Sequence, residues 1–355
     1  MTNILSQYLM RTIITSTALV LGVLLALAGL FEFIAELEDV QNDYQAPQAV
    51  MYAILRLPIL GFEMMPVSAL IGSLLGLGAL AANSEIIVMR SSGLSVRKLS
   101  QMVAVSGFAM LVFAALLGEF IGPPLDYFAR DMRKEARFGQ EEERLGNATW
   151  VRDGQAYLHL ERVNSEFEFG SLYVYRFDEA SRLRSIAQAE NAGIDGADRW
   201  RLENFRETKF EGDGVQVVES TLTVESFDVN AELLGNALAK PSSLSLRGLL
   251  SYIDYQKRNA LDSRLFETEL WYRVSRTFSV MVMPILALAF VFGSLRAGGT
   301  GARLLTGVVI GLAYYLASEM LANSGQVFNL NPAIITWFPT MVLVAVTAFA
   351  LTRIR

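Results

Sequence analysis

The sequence contains no cysteine and only one histidine, His159. Without cysteine no disulfide bond can form, so any domain outside the cytoplasm must rely on its hydrophobic core. Zinc sites are built mainly from Cys and His side chains, and a zinc site is therefore not expected. His159 falls in a predicted strand, where a single histidine is expected to be structural, and no Ser-His-Asp set can be assigned around it.

Nucleotide-binding motifs are also missing. The sequence has no G-x-x-x-x-G-K-[ST] segment, the loop that holds nucleotide phosphates. The glycine-rich segment AGGTGAR (297–303) lacks the lysine and joins two apolar stretches, so we interpret it as a tight cytoplasmic connection. We therefore predict a chain that is not an enzyme, holds no metal or cofactor of its own and has no nucleic-acid partner.

Charged residues are scarce in long parts of the chain, which is 52% hydrophobic and 19% charged. The apolar residues are concentrated in stretches of about 20, the length that crosses a hydrocarbon core of about 30 Å. Because lipid offers no partners to backbone groups, such stretches form helices, and we predict six, arranged three and three around a polar block. The stretches are Thr12–Phe31, Met64–Asn83, Leu99–Gly118, Thr277–Leu295, Leu304–Ala322 and Ala333–Thr352.

The positions of Lys and Arg in the short loops predict the orientation, because positively charged loops resist translocation. With the N-terminus inside, the short outer segments 32–50 and 323–332 carry no Lys or Arg. Both termini are then cytoplasmic and the long middle segment lies outside. The basic residues of the inner segments are Arg11, Arg90, Arg97, Lys98, Arg296, Arg303, Arg353 and Arg355.

The polar block has the composition of a β domain. Segments such as GSLYVYRF (170–177) and VQVVESTLTVESF (215–227) alternate β-branched or aromatic residues with polar ones. Many short strands at this spacing predict an all-β fold, either a sandwich or a jelly-roll-like sheet, followed by a connecting helix near 244–259. The predicted division is 1–124 for membrane helices one to three, 125–270 for the outer β domain with its connecting helix, and 271–355 for membrane helices four to six.

A short segment, SEIIVMRSS (84–92), separates the second and third stretches. Ser84 or the residue before it is suited to cap a helix start, and Gly93 fits just past its end. Ile86 and Met89 lie three positions apart, which predicts a two-turn helix with an exposed apolar edge. Such an edge requires a partner, and both a groove on an ATPase and the bilayer surface remain open from the residues alone.

Several charges fall at a similar depth near the outer interface when residues are counted along each helix. They are Glu32, Glu63, Glu119, Glu319, Arg273 and Arg276. Water and headgroups reach this level, so the charges either mark the boundary or form a binding site.

The segment ANSEIIVMRSSGLS (82–95), followed after one helix by GEFIGP (118–123), resembles the lipopolysaccharide export permease family, the paired LptF and LptG subunits. The segments ERV (161–163), GSLYVYRFDEASRLRSI (170–186), RWRLENF (199–205) and LSLRGLLSYIDYQK (244–257) are more similar to the LptG branch. The resemblance covers essentially the whole chain and includes the layout of six helices around one periplasmic block.

The resemblance implies half of an ABC transporter in the Gram-negative inner membrane. Two copies of a separate LptB-like ATPase, which bind the ATP and Mg²⁺, would sit under an LptF-like and LptG-like pair, and an LptC-like membrane-anchored protein would join them. The complex would extract lipopolysaccharide from the outer leaflet and pass it to a periplasmic bridge. The ATPase groove would hold a coupling helix that includes Ser84, Glu85, Ile86, Met89, Arg90 and Gly93.

The resemblance also implies where the lipid binds. The six outer charges would form a vestibule for the phosphorylated headgroup, with Arg273 and Arg276 as direct phosphate ligands, unless they pair with Glu119 or Glu319. Where LptG chains carry lysines after helix one, this chain has EFIAELED (32–39), so bridging cations, the partner's basic residues or amine-bearing lipids would have to compensate. Helices one and five would form lateral gates and helix two a cavity wall, through Leu24, Leu27, Phe31, Ile34, Leu312, Tyr315, Met320, Leu321 and Met65.

Two other functions remain open from the sequence. One is an ABC permease for another lipid-linked cargo, which would also require an ATPase and differ only in the bound lipid. The other is a non-transport membrane receptor, which would have no ATPase partner.

Overall fold

The computed structural model describes residues 2–40, 43–144, 148–161, 168–195, 198–211, 214–238, 240–292, 299–328 and 330–353. Two compact units are present. The first comprises Met1–Val40, Gln45–Arg130 and Arg264–Arg355, and the second comprises Gln41–Tyr44 and Asp131–Ser263. The predicted connection at 297–303 and the ERV segment at 161–163 lie partly outside the described residues.

The first unit contains the membrane helices. In the described residues six helices are long and apolar enough to cross a bilayer, which confirms the predicted architecture. They are α1 (Thr2–Leu37), α2 (Ala46–Ala82), α4 (Val96–Leu116), α8 (Arg264–Phe292), α9 (Thr300–Val327) and α10 (Pro332–Arg353). The short helix α3 (Glu85–Ser91) joins α2 to α4, and α4 continues through a π-helical turn (Leu117–Ile121) into α5 (Gly122–Arg144).

The helices extend well beyond the apolar stretches from which they were predicted. The predicted second span began at Met64, whereas α2 begins at Ala46 and continues through two internal prolines, Pro58 and Pro66. The predicted fourth span began at Thr277, whereas α8 begins at Arg264. Hydropathy detects only the part of a helix that lies in hydrocarbon, because polar residues are tolerated where water and headgroups reach the helix.

The centre of this unit is formed by α2 and α8. Their most apolar windows are 72% and 67% buried within the chain, against 6% for α1 and 17% for α9. Fully buried side chains such as Leu70, Leu74 and Met283 fill the space between the central helices. The helices α1 and α9 therefore leave most of their apolar surface for lipid or for another membrane protein.

Glycines allow close contact between neighbouring helices. A Cβ atom on Gly72 of α2 would lie 2.6 Å from the backbone nitrogen of Thr17 in α1. A Cβ atom on Gly107 of α4 would lie 2.5 Å from the carbonyl oxygen of Met281 in α8. Small residues at such positions let two backbones approach in lipid, where packing is a main source of helix association.

The second unit holds one curled antiparallel sheet. Its strands are β1 (Thr149–Asp153), β2 (Ala156–Leu160), β3 (Glu168–Phe169), β4 (Leu172–Phe177), β5 (Leu183–Ala189), β6 (Asn191–Ile194), β7 (Trp200–Glu211) and β8 (Gly214–Glu225). The order is β1-β2-β4-β5-β7-β6-β3, with β8 paired along β7. The predicted class, an all-β domain of jelly-roll type, is confirmed.

Strand β7 organises the curl of the sheet. Its first residues pair with β6 and its later residues with β5, while its whole length pairs with β8. Between the β6 and β5 segments Asn204 has a positive φ of 51°. A residue in this conformation interrupts the regular pleat, and a local irregularity of this kind bends a strand.

Two helices cover the core of this unit, α6 (Ala231–Leu238) and α7 (Leu246–Arg258). Trp200 of β7 is fully buried, and its indole nitrogen donates to the carbonyl oxygen of Val229 at 2.8 Å. The hydroxyl group of Tyr255 in α7 donates to the carbonyl oxygen of Arg152 in β1 at 2.7 Å. Burial raises the pKa of Tyr255 to about 12, so this hydroxyl keeps its proton.

A buried carboxylate lies in the same sheet. Glu207 of β7 is 8% exposed and accepts hydrogen bonds from Ser185 at 2.7 Å and Arg176 at 2.6 Å. Burial alone would raise the pKa of Glu207, but these donors and the nearby charges of Arg176 and Lys209 outweigh it, so the pKa lies below its usual range. His159, by contrast, lies in a row of rings, 4.5 Å from Trp150 and 6.1 Å from Tyr173 between ring centroids.

Candidate functional site

The short helix α3 lies at the turn between α2 and α4. The predicted side-chain cap is wrong: Ser84 occupies the N-cap position, but its side chain makes no capping hydrogen bond. Ser84 instead has a left-handed backbone, with φ of 60°, and this sharp turn ends α2 and starts α3. Gly93 follows the helix with φ of 91°, a conformation that favours glycine.

The prediction of which side chains α3 exposes is also wrong. Ile86 and Met89 are 2% and 8% exposed and pack in the membrane core. The exposed apolar residues are Ile87 and Val88, at 47% and 61%. Four consecutive apolar residues occupy all sides of a short helix, so spacing alone could not identify the inward face.

Polar contacts also hold α3 in place. The hydroxyl group of Tyr8 in α1 donates to the Glu85 carboxylate at 2.8 Å. The guanidinium of Arg90 lies 5.5 Å from the centre of the Phe292 ring at the end of α8. The helix is thus attached to α1 and α8 while Ile87 and Val88 face outward.

The predicted outer charges form separate clusters, and the first joins α1, α2 and α5. Glu32 forms an ion pair with Arg56, and Arg56 also contacts the Asp126 carboxylate at 3.0 Å. Arg130 contacts the other oxygen of Asp126 at 2.7 Å, and Asp126 is buried. Sequence reasoning missed Arg56, although a single arginine in the apolar segment MYAILRLPIL (51–60) is itself a signal of an intramembrane charge.

The second cluster lies between α2, α8 and α9. The hydroxyl group of Tyr272 donates to the Glu319 carboxylate at 2.8 Å, and a guanidinium nitrogen of Arg276 lies 3.9 Å from the same oxygen. Arg276 also donates to the Tyr272 hydroxyl and stacks over its ring at 4.3 Å. Tyr272 and Arg276 line a pocket together with Glu63 and Tyr315.

Two of the predicted charges lie elsewhere. Arg273 is 4% exposed and pairs with Glu269 on its own helix at 3.4 Å, so it does not present its guanidinium on the surface of the chain. Glu119 lies in the π-helical turn. Arg276 pairs with Glu319, one of the two glutamates predicted as its partner.

The predicted gate residues are mostly exposed. On α1, Leu27, Phe31 and Ile34 are exposed and Leu24 is half-buried. On α9 the exposed residues are Leu312, Tyr315 and Met320, with Leu321 half-buried. Met65, predicted to shape a cavity wall, is 4% exposed and packs in the core. The next residues, Pro66 and Val67, line the pocket between α2, α8 and α9, because successive residues of a helix point in different directions.

Comparison with known proteins agrees with this architecture. The family model for the lipopolysaccharide export system permease LptF/LptG matches residues 7–353. The chain is 30% identical over 357 residues to the lipopolysaccharide export system permease protein LptG of Escherichia coli K12, covering 99% of this chain and 98% of the relative. It is 29% identical to LptG of Haemophilus influenzae, with 100% of each covered. Identity to LptF of Escherichia coli K12 is 22% over 350 residues, with coverage of 96% and 93%.

Proposed function

Because this chain belongs to the LptF/LptG family of lipopolysaccharide export permeases, we propose how its residues carry out that export. The permease is a multi-pass inner-membrane protein. It acts as the LptG-like half of an ABC transporter and contributes no catalytic site. Lipopolysaccharide leaves the outer leaflet through a cavity that this half forms with an LptF-like half, and continues to a periplasmic bridge.

The observation that carries this proposal is the uneven burial of the membrane helices. The apolar windows of α1 and α9 are only 6% and 17% buried, although both belong to a compact unit with a dense core. A second permease half would cover part of this surface, and lipid would cover the rest. The chain resembles both LptG and LptF over most of its length, which fits a pair of related halves.

The energy source is a separate polypeptide, an LptB-like ATPase in two copies that binds ATP and Mg²⁺. The sequence has no P-loop, and α3 presents Ile87 and Val88 on the surface where the short loops are rich in Arg and Lys. This surface is cytoplasmic in the proposed orientation, with both termini inside. A groove on the ATPase covers the exposed side of α3, and closure of the ATPase dimer displaces the helix.

The outer charge clusters provide a headgroup site. In the first cluster the Arg56 guanidinium is held by two carboxylates, and in the second the Arg276 guanidinium is held by Glu319 and the Tyr272 hydroxyl group. A phosphorylated headgroup competes for the same guanidinium groups, because phosphate and carboxylate share their bidentate geometry. Acyl chains pass along α1 and α9, whose exposed residues include Phe31 and Met320. An LptC-like protein in the membrane receives the lipid with the β domain.

The test is the composition and activity of the purified complex. The chain is co-expressed with the partner permease and the ATPase, and lipid retained in detergent is identified by mass spectrometry. We expect the ATPase to co-purify, lipopolysaccharide to be the retained lipid, and its release to require ATP. Another retained lipid would indicate a different cargo, and recovery of the permease without any ATPase would indicate a receptor. Either result contradicts the proposed mechanism.

A further inference from the structure

The cytoplasmic end of α2 and the adjoining α3 contact both of the least buried membrane helices. One contact reaches α1 through Tyr8, and the other reaches α9 through Arg303. Both lie on the side of the membrane where α3 exposes Ile87 and Val88. The apolar windows of α1 and α9 have little burial within the chain, so displacing these helices disrupts less internal packing than displacing α2 or α8.

The contact to α1 is a hydrogen bond between Tyr8 and the first residue of α3. The Tyr8 hydroxyl donates to Glu85 at 2.8 Å, the usual distance of a hydrogen bond between two oxygen atoms. Next to Tyr8, Leu9 and Ile13 are fully buried in the membrane core. This end of α1 is therefore held by packing as well.

The contact to α9 is buried. Arg303, in the first turn of α9, is 4% exposed and donates from Nη1 to the carbonyl oxygen of Gly78 at 2.6 Å. A Cβ atom on Gly78 would lie 2.5 Å from Cδ of Arg303 and 2.8 Å from Nη1, so only glycine leaves room for this side chain. Gly78 is near the C-terminus of α2, where the helix dipole favours a cation.

Arg303 is costly to keep in this position. Its Nε is buried and has no hydrogen-bond partner among the described residues. A buried charged group with incomplete hydrogen bonding costs free energy, and an apolar residue would pack here without that cost. Packing does not account for the arginine, whereas a polar attachment of α9 to α2 does.

We propose that Tyr8 and Arg303 are positioning residues that transmit the displacement of α3 to the gate helices α1 and α9. When the ATPase moves α3, the Tyr8–Glu85 bond pulls the cytoplasmic end of α1. The last turns of α2, which adjoin α3, move with it, and the Arg303–Gly78 bond then pulls the start of α9. The inference rests on the proposed function and adds two links, the Tyr8–Glu85 and Arg303–Gly78 hydrogen bonds, that transmit the movement of α3. Loss of a link leaves ATP hydrolysis intact and lowers the lipopolysaccharide released per ATP.

The test uses the whole complex in liposomes, with ATP hydrolysis and lipopolysaccharide release measured on the same sample. Tyr8→Phe removes only the hydroxyl group, and Gly78→Ala displaces Arg303 without removing its charge. The matched controls are Tyr175→Phe, in β4, where phenylalanine keeps the ring contact with Trp150, and Gly22→Ala, where an added Cβ meets nothing within 4 Å. We expect both test variants to hydrolyse ATP within about two-fold of wild type and to release about five-fold less lipid per ATP, the effect of one lost hydrogen bond.

The inference would be overturned if ATP hydrolysis and lipopolysaccharide release fell by the same factor in the test variants, since a purely structural defect lowers both. Unchanged release per ATP would overturn it as well. If the wild-type complex showed no lipid-dependent ATP hydrolysis, the proposed function itself would fail, and this outcome is separate from the behaviour of the variants.

A rescue experiment covers the case in which a variant folds poorly. Because the chain has no cysteine, Tyr8→Cys and Glu85→Cys can be combined and joined with a short bismaleimide. Release per ATP should be low before crosslinking and return towards the wild-type value afterwards. Failure of the crosslinked protein to regain coupling would show that the α1–α3 link does not transmit the displacement.

Discussion

Replacement of both Ile87 and Val88 by serine should weaken binding of the ATPase without unfolding the permease. These side chains are the exposed apolar part of α3, whereas Ile86 and Met89 are buried in the membrane core. Serine keeps the surface soluble and removes the apolar area that a groove would cover. The short helix itself remains held by its buried face.

The size of the effect follows from the exposed fractions. Ile87 is 47% exposed and Val88 61%, so docking can bury about as much area as one complete aliphatic side chain. Burial of such a side chain stabilises by about 2 kcal/mol, which corresponds to about a 30-fold change in the dissociation constant.

The assay is titration of purified ATPase onto the permease pair in detergent, with the thermal unfolding temperature of each variant measured in parallel. Ile86→Ala is the matched control, because it removes a similar side chain from the buried face and should lower the unfolding temperature without weakening docking of the folded protein. If the double serine variant bound the ATPase as tightly as wild type, α3 would not dock through this face and the reasoning would be refuted.

Two further predictions concern stability. Gly72→Ala should lower the unfolding temperature by overpacking, at a cost of about 1–3 kcal/mol, because its Cβ would lie 2.6 Å from a backbone nitrogen of α1. Gly22→Ala should not, because its Cβ would meet nothing within 4 Å. Equal stability of both variants would argue against the close contact. The second concerns Glu207, whose pKa is lowered in the folded state. Its stabilising contribution is present above its unfolded pKa of about 4.3 and is lost as pH falls through the folded value. Glu207→Gln should therefore be less stable than wild type at pH ~7, by about 2 kcal/mol, and similar to it at pH ~2, as measured by thermal unfolding; a gap that persists in acid would contradict this.

The sequence was sufficient to predict the membrane helices and the class of the outer domain. Long stretches without charge leave no alternative to helices in lipid, and strand alternation with turn residues is a strong local signal. Helix ends were less predictable. The first part of α2 carries Arg56 and Pro58 and therefore does not resemble a membrane span, although it is helical.

The orientation of side chains on short elements could not be predicted from spacing. In IIVM (86–89) all the residues are apolar, and only packing against the core decides that Ile86 and Met89 are inside. Pairing between residues far apart in the sequence could not be predicted either. The contacts of Arg56 with Glu32 and Asp126, and of Arg303 with Gly78, depend on how separate helices pack, and no local pattern records that packing.

The π-helical turn at Leu117–Ile121 has a consequence for the residues that follow it. A wide turn accommodates one residue more than an α-helical turn, and one residue corresponds to about 100° of rotation. The extra residue rotates α5 so that Asp126 contacts Arg56 on α2. Removing a single residue such as Phe120 from the wide turn would rotate Asp126 away from α2 and break its ion pair with Arg56. The pair between Asp126 and Arg130 would be kept, because both residues lie on α5. The ion pair between Asp126 and Arg56 thus depends on the number of residues in a preceding segment of the chain.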